Sequence, residues 1–234
     1  MLIFWDIDGT LMHCGADGTT ALNEAFRRLY GIEGAFSAAG IGGAMDYAVL
    51  MRIMGSFGIE LSELGRIKSL YADILEDVLA ADAHKRILPG VEKALEYIEG
   101  REGWSSLLLT SNLKSGAEAK LRSVGLSGFF GEPLMGGFGD APGEKWDAFA
   151  SALAEARAAS GKPARPAETV IIGDSVYDIR CAKRVGARHI AVATGWTPEG
   201  VLVAEGPDCL LRDLSDTGAV VNAIERFASD ARQR

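Results

Sequence analysis

Four aspartates, two hydroxyls and a lysine are the residues of this chain whose types and spacing can do chemistry together. The first two aspartates stand in Asp6-Ile7-Asp8-Gly9-Thr10, directly after the continuous apolar run Leu2-Ile3-Phe4-Trp5. Such a run is the composition of a strand buried in a parallel sheet. Charge therefore appears where the strand emerges. Side chains two apart on a strand point to one side, which sets Asp6 and Asp8 roughly 7 Å apart along the backbone, close enough to share a metal or to divide acid and nucleophile roles. Taken alone, these five residues equally fit an Asp-rich turn.

Three other places match them. The apolar stretch Leu107-Leu108-Leu109 ends in Thr110-Ser111-Asn112. Val170-Ile171-Ile172 ends in Gly173-Asp174-Ser175, with Asp178 four residues beyond Asp174 and on the same face once a helix has begun. Lys145 stands in Gly143-Glu144-Lys145 at an expected helix start. In an open parallel sheet, ligands bind outside the carboxyl ends of the strands, so these groups belong to one site. Several carboxylates around one point cannot all stay ionised without a cation, and oxygen-only ligands select a hard ion such as Mg2+. Thr110 and Ser111, with backbone amides and a lysine, supply donors for phosphoryl oxygens. A remaining aspartate can attack phosphorus as a covalent nucleophile, with the metal cancelling repulsion between two anions. Phosphoryl transfer uses all of these parts.

The elements that must position them follow from periodicity. After a loop over residues 11–18, Thr19 or Thr20 is expected to cap a helix ending at Gly31. Residues 34–43 are small and flexible in composition. Helical patterns cover 44–57 and 62–81, where Met45, Met51 and Met54 at helical spacing read as core filling rather than as a groove. From Lys85 the pattern alternates: helix from 91, strand 104–110, helix 115–124, a short strand within 133–137, helix 144–158, strand 169–173, helix 176–185, strand 190–193, strand 208–211 and a terminal helix over 215–232. This is an α/β protein with a doubly wound parallel sheet, interrupted after its first strand by an all-helical insertion. The expected division is a core domain of residues 1–13 and 85–234 and a helical cap domain of residues 14–84.

Composition bounds the rest. The chain has 234 residues, 48% of them hydrophobic, a net charge of −8 and a pI of about 5.0, with no basic stripe, so neither nucleic acid nor a membrane is expected as partner. Cys14, Cys181 and Cys209 are far apart and lack metal or redox spacing, as suits free thiols in a reducing cytoplasm. A strand-like segment from Leu2 replaces the pattern of an export signal, so a cytoplasmic location is expected. The glycines of Gly40-Ile41-Gly42-Gly43 and Gly136-Gly137-Phe138-Gly139 do not complete a dinucleotide-binding fingerprint. Trp5 reads as packing, His13 and Cys14 as packed or solvent-facing, and Asp46 as a helix-terminal carboxylate that can also reach a substrate.

Asp6-Ile7-Asp8-Gly9-Thr10-Leu11, Leu107-Leu108-Leu109-Thr110-Ser111-Asn112 and Gly173-Asp174-Ser175-Val176-Tyr177-Asp178, in this order, resemble motifs one, two and four of the haloacid dehalogenase superfamily. The helical insertion, Gly43-Ala44-Met45-Asp46 and Leu88-Pro89-Gly90-Val91 resemble the cap, cap loop and return of its phosphoglycolate phosphatase-like branch. The resemblance implies a Rossmann-like core and a Mg2+-dependent phosphatase acting on a small phosphorylated metabolite. Asp6 would be the nucleophile. Asp8 would be the acid and then the base, and would lend its backbone carbonyl to the metal. Asp6 and Asp174 would be side-chain ligands, with Asp178 a ligand through water or a support. Thr110 and Ser111 would hold the phosphoryl group. For motif three the branch carries a Lys-Pro pair that this chain lacks; Lys145 is the candidate and Lys114 its rival. A phosphosugar mutase and a catalytically idle binding protein are the other readings of this scaffold, as a monomer or homodimer.

Overall fold

The computed structural model describes residues 1–39, 44–161 and 163–232. The chain opens with β1 (Leu2–Trp5) and the two-residue strand β2 (Met12–His13). Helices follow: α1 (Asp17–Tyr30), α2 (Ala35–Ala39), α3 (Asp46–Phe57) and α4 (Leu64–Ala81). Next comes β3 (Arg86–Ile87), which pairs antiparallel with β2, so the chain leaves the helical segment beside the point where it entered. From there strand and helix alternate through α5 (Val91–Glu99), β4 (Ser105–Leu109), α6 (Lys114–Ser123), β5 (Gly136–Gly137), α7 (Lys145–Ser160), β6 (Thr169–Gly173), α8 (Val176–Val185), β7 (Arg188–Val192), α9 (Glu199–Glu205), β8 (Cys209–Leu211) and α10 (Thr217–Arg232).

The larger sheet has the order β5-β4-β1-β6-β7-β8, and every pairing in it is parallel. β1 lies near the middle, where the chain first builds outward on one side through β4 and β5 and then returns to β6 on the other. That reversal is the topological switch point at which open parallel sheets form their crevice. Alternate side chains of β1 enter two cores. Ile3 and Trp5 pack into the larger cluster, with residues of α1, α4, α5 and α10, while Phe4 packs with Leu107, Leu109, Phe149 and Ile171 beneath α7 and α8. Both faces are thus covered, which is why the strand reads as an unbroken apolar run. Trp5 is fully buried and donates its indole N–H to Ser106 Oγ at 3.2 Å, the packing role expected for it.

Several boundaries differ from the pattern-based expectation. α1 begins at Asp17, ahead of Thr19 and Thr20, because a carboxylate in the first turn complements the helix dipole without a hydroxyl cap. α2 occupies part of a stretch expected to be irregular, and Gly40-Ile41-Gly42-Gly43 lies outside the described residues. α9, which lies between the expected strands 190–193 and 208–211, is bounded by Pro198 at its N-cap and by Gly206 in the left-handed conformation. β7 starts at Arg188, two residues before the expected strand, through pairing with Val170. α7 starts at Lys145 itself, after a capping box between Glu144 and Asp147.

Candidate active site

Strand register assembles the site. Trp5 lies opposite Leu108 on β4 and opposite Ile172 on β6, so the next residues, Asp6, Leu109 and Gly173, reach the same level. Asp6 N–H still donates to Ile172 O at 3.0 Å. Thr110 and Asp174 then stand one residue past the ends of their strands, beside Asp6. The carboxyl ends of three adjacent strands therefore deliver three of the expected residues to one place.

On one side of this place, one oxygen from each of Asp6, Asp174 and Asp178 lies within 4.8 Å of the other two. Lys145 Nζ joins them, 3.2 Å from Asp6 Oδ1 and 2.5 Å from Asp178 Oδ1, and its side chain is only 7% exposed. The backbone clears the space. A Cβ at Gly195 would stand 1.6 Å from Asp174 Oδ2, and one at Gly9 2.6 Å from the same atom. A Cβ at Gly173 would stand 2.2 Å from Asp178 Cγ. Ser175 donates to Asp178 Oδ2 from its backbone N–H at 3.1 Å and from its hydroxyl at 2.5 Å. Thr10 Oγ1 donates to Asp174 Oδ1 at 3.3 Å.

Crowded carboxylates perturb one another. Burial pushes the Asp6 carboxyl up to about 6, against the pull of Lys145. Burial, then Asp6 and Asp178, push Asp174 up to about 8. For Asp178, burial works upward, but Lys145, His189 and hydrogen bonds from Lys145 and Ser175 together hold it below the usual carboxylate range. One ammonium thus balances a group of three carboxyls only in part. A divalent cation among hard oxygen donors would relieve the rest, so the residues present fit Mg2+.

Asp8 turns to a different set of partners. Lys120 Nζ donates to Asp8 Oδ1 at 2.7 Å and Oδ2 at 2.6 Å, and to Asn112 Oδ1 at 2.7 Å. Asn112 Nδ2 donates to Asp8 Oδ2 at 2.7 Å, and Cys14 Sγ to Asp8 Oδ1 at 3.6 Å. The two aspartates therefore divide rather than share their surroundings. Burial works to raise the Asp8 carboxyl, but the charge of Lys120 and hydrogen bonds from Lys120, Asn112 and Cys14 leave it lowered. Lys120 and Asn112 are the residues that sequence reasoning missed. The signal was present: Leu113, Gly116, Ala117, Lys120 and Leu121 form the buried stripe of α6 and its N-cap, and a lysine on such a stripe requires a partner.

Thr110 is fully buried and its hydroxyl accepts from Asn112 Nδ2 at 2.7 Å and Asn112 N–H at 3.3 Å. Its backbone N–H, expected as a phosphoryl donor, instead donates to Gly137 O at 3.0 Å, because β4 pairs with β5 up to this point. Ser111 is half-buried in the same turn, and its carbonyl accepts from Asp46 N–H at 2.9 Å. Lys114 stands apart: its Nζ lies 5.3 Å from the Phe138 ring centroid. Cys14 is buried against Asp8, and His13 packs on Trp196 with ring centroids 5.6 Å apart.

A cavity of about 310 Å³ opens on the Asp8 side. Asn112 and Lys120 line it together with the apolar Leu22, Val49 and Leu50 and with Trp196. Asp46 also lines it, accepting from Leu113 N–H at 3.0 Å; burial pushes this carboxyl up to about 6. Among the described residues, no helix is long and apolar enough to cross a membrane.

Comparison with known proteins gives a consistent picture. Residues 1–186 match a family model described as hydrolase, haloacid dehalogenase-like hydrolase. A probable phosphatase IndB of Dickeya dadantii is 24% identical, over 97% of this chain and 96% of that protein. A phosphoglycolate phosphatase of Pseudomonas fluorescens is 25% identical, over 99% of this chain and 84% of that protein. Among solved structures, CbbY from Rhodobacter sphaeroides in complex with phosphate shares the fold, with a TM-score of 0.69 at 21% identity, over 93% of this chain and 96% of that one.

Proposed function

The chain belongs to the haloacid dehalogenase-like hydrolases, and from that premise we propose that it is a Mg2+-dependent phosphatase that hydrolyses a small phosphomonoester through an aspartyl-phosphate on Asp6. The observation that carries this reading is the placement of two unlike carboxylates at one strand end, Asp6 with Asp174, Asp178 and Lys145, and Asp8 with Lys120 and Asn112. One surrounding is suited to a metal and an anionic phosphoryl group. The other is suited to a group that trades protons.

Asp6 and Asp174 would hold Mg2+ through their carboxylates, with Asp178 supporting and the Asp8 carbonyl completing the set. The ion would supply charge neutralisation as the Asp6 oxygen approaches phosphorus. Lys145, the Thr110 hydroxyl and Ser111 would bind the phosphoryl oxygens and align phosphorus on Asp6. Asp8 would give a proton to the departing alcohol and then take one from the attacking water. Its lowered pKa presents the base form at rest. A dianionic phosphoester beside it raises a carboxyl pKa by like-charge repulsion, which favours uptake of the proton needed for the first half-reaction. The helices between β2 and β3, within the segment 14–84, would act as a cap that closes over the cavity and excludes water until the alcohol has left.

The Pseudomonas relative's name puts 2-phosphoglycolate among the candidates to assay. Para-nitrophenyl phosphate is the general probe. The expected result is phosphate release that requires Mg2+ and disappears in Asp6→Asn. Release by Asp6→Asn at the wild-type rate would refute the reading. Conversion of a sugar phosphate to an isomer without free phosphate would replace it with a phosphosugar mutase, and binding without turnover with an idle binding protein.

A further inference from the structure

The cavity beside Asp8 is where the alcohol part of a phosphoester must lie once phosphorus faces Asp6, so its walls select the leaving group. Resting on the phosphatase reading above, we infer that the enzyme acts on phosphomonoesters of compact alcohols that carry no negative charge, and discriminates against esters of hydroxy acids. Lys120 is the only cation among the described residues lining the cavity. It is 5% exposed, and its ammonium has three N–H donors, which match its three contacts with Asp8 Oδ1, Asp8 Oδ2 and Asn112 Oδ1. No donor of that lysine remains for a substrate carboxylate. Gly40-Ile41-Gly42-Gly43, outside the described residues, contains no charged side chain.

The other charged groups on the wall are carboxyls, Asp8 and Asp46. An anionic leaving group would therefore meet two acids and one committed base, with the uncharged hydroxyls of Thr19 and Tyr71 beside the apolar Leu22, Val49 and Leu50. A buried charge without a partner is strongly disfavoured. An aliphatic alcohol suits the wall, and a hydroxyl on it can donate to Asp46, whose Oδ2 accepts from the Leu113 amide. Lys120 is then a positioning residue, acting on every substrate through Asp8.

The test compares kcat/KM of the Mg2+-loaded enzyme for 2-phosphoglycolate with that for its uncharged analogues 2-hydroxyethyl phosphate and propyl phosphate, with para-nitrophenyl phosphate as control. The uncharged esters are expected to be better by at least about tenfold, the scale on which one pocket contact discriminates. A smaller advantage, or a preference for 2-phosphoglycolate, overturns the inference while hydrolysis of para-nitrophenyl phosphate leaves the phosphatase reading standing. No hydrolysis of any ester brings down both. Lys120→Met supplies the second readout: kcat should fall for charged and uncharged esters alike, with their ratio unchanged. A selective rise of KM for 2-phosphoglycolate would show that Lys120 binds a substrate carboxylate, and would overturn the inference even if the wild-type ratio agreed with it.

Discussion

Asp6 and Asp8 are separated by one residue, yet their side chains live in different electrostatic settings, and this division is the main chemical feature of the site. Asp6 is tied to Lys145 and two acids, whereas Asp8 is tied to Lys120 and an amide. Lys145 also separates the two lysine candidates by geometry. Its Nζ reaches Asp6 and Asp178, while Lys114 lies over an aromatic ring. Lys145→Ala is therefore expected to lower kcat by at least about 10²-fold, the usual cost of removing one preorganised charge partner. Lys114→Ala should stay near wild type. Equal losses in steady-state assays of the two variants would contradict the placement. At this scale the acids were legible because Asp6 and Asp174 directly follow apolar strands, with Asp8 and Asp178 close behind them. Lys120 was not, because its partner comes from a distant element and only its place on the stripe of α6 betrays it.

At the scale of elements, β1 does two jobs with one short run of residues. Its side chains alternate into two cores, and its end leads into Asp6, the proposed nucleophile. Phe4 is fully buried and meets Phe149 of α7 with ring centroids 4.9 Å apart. Phe4→Ala should cost about 3–5 kcal/mol in chemical denaturation, the range for truncating a buried aromatic. Because Phe149 lies on the helix that begins with Lys145, activity should fall as well at temperatures where the variant is still folded. A loss below about 1 kcal/mol would show that this core does not hold α7 in place. The order of strands and helices was legible from alternating apolar runs. The short elements were not: β2 and β3 exist only through each other, and a two-residue strand leaves no periodicity. The glycines at 9, 173 and 195 likewise mark close approaches of backbone to carboxylates that spacing alone does not reveal.

For the whole molecule, the same burial that shapes the site couples stability to pH. His189 on β7 is 1% exposed, its ring nitrogens have no hydrogen-bond partner among the described residues, and burial holds it down to about 4 from an ordinary 6.5. The folded protein thus keeps His189 neutral where the unfolded chain takes up a proton. Unfolding is favoured as pH falls from 6.5 to 4, with an upper bound of about 3 kcal/mol from this group. His189→Leu should flatten the fall of Tm across that window; an unchanged slope would assign acid sensitivity to other groups. Nothing in the lone histidine of an apolar strand announces this, since its effect depends on depth of burial. Phosphorylation of Asp6 can be tested on the intact protein. The enzyme is mixed with Mg2+ and a phosphomonoester radiolabelled in its phosphoryl group, quenched in acid during turnover and digested. Label is expected in the wild-type peptide containing Asp6, and none in Asp6→Asn. Label on another residue, or undiminished phosphate release by Asp6→Asn, would contradict it.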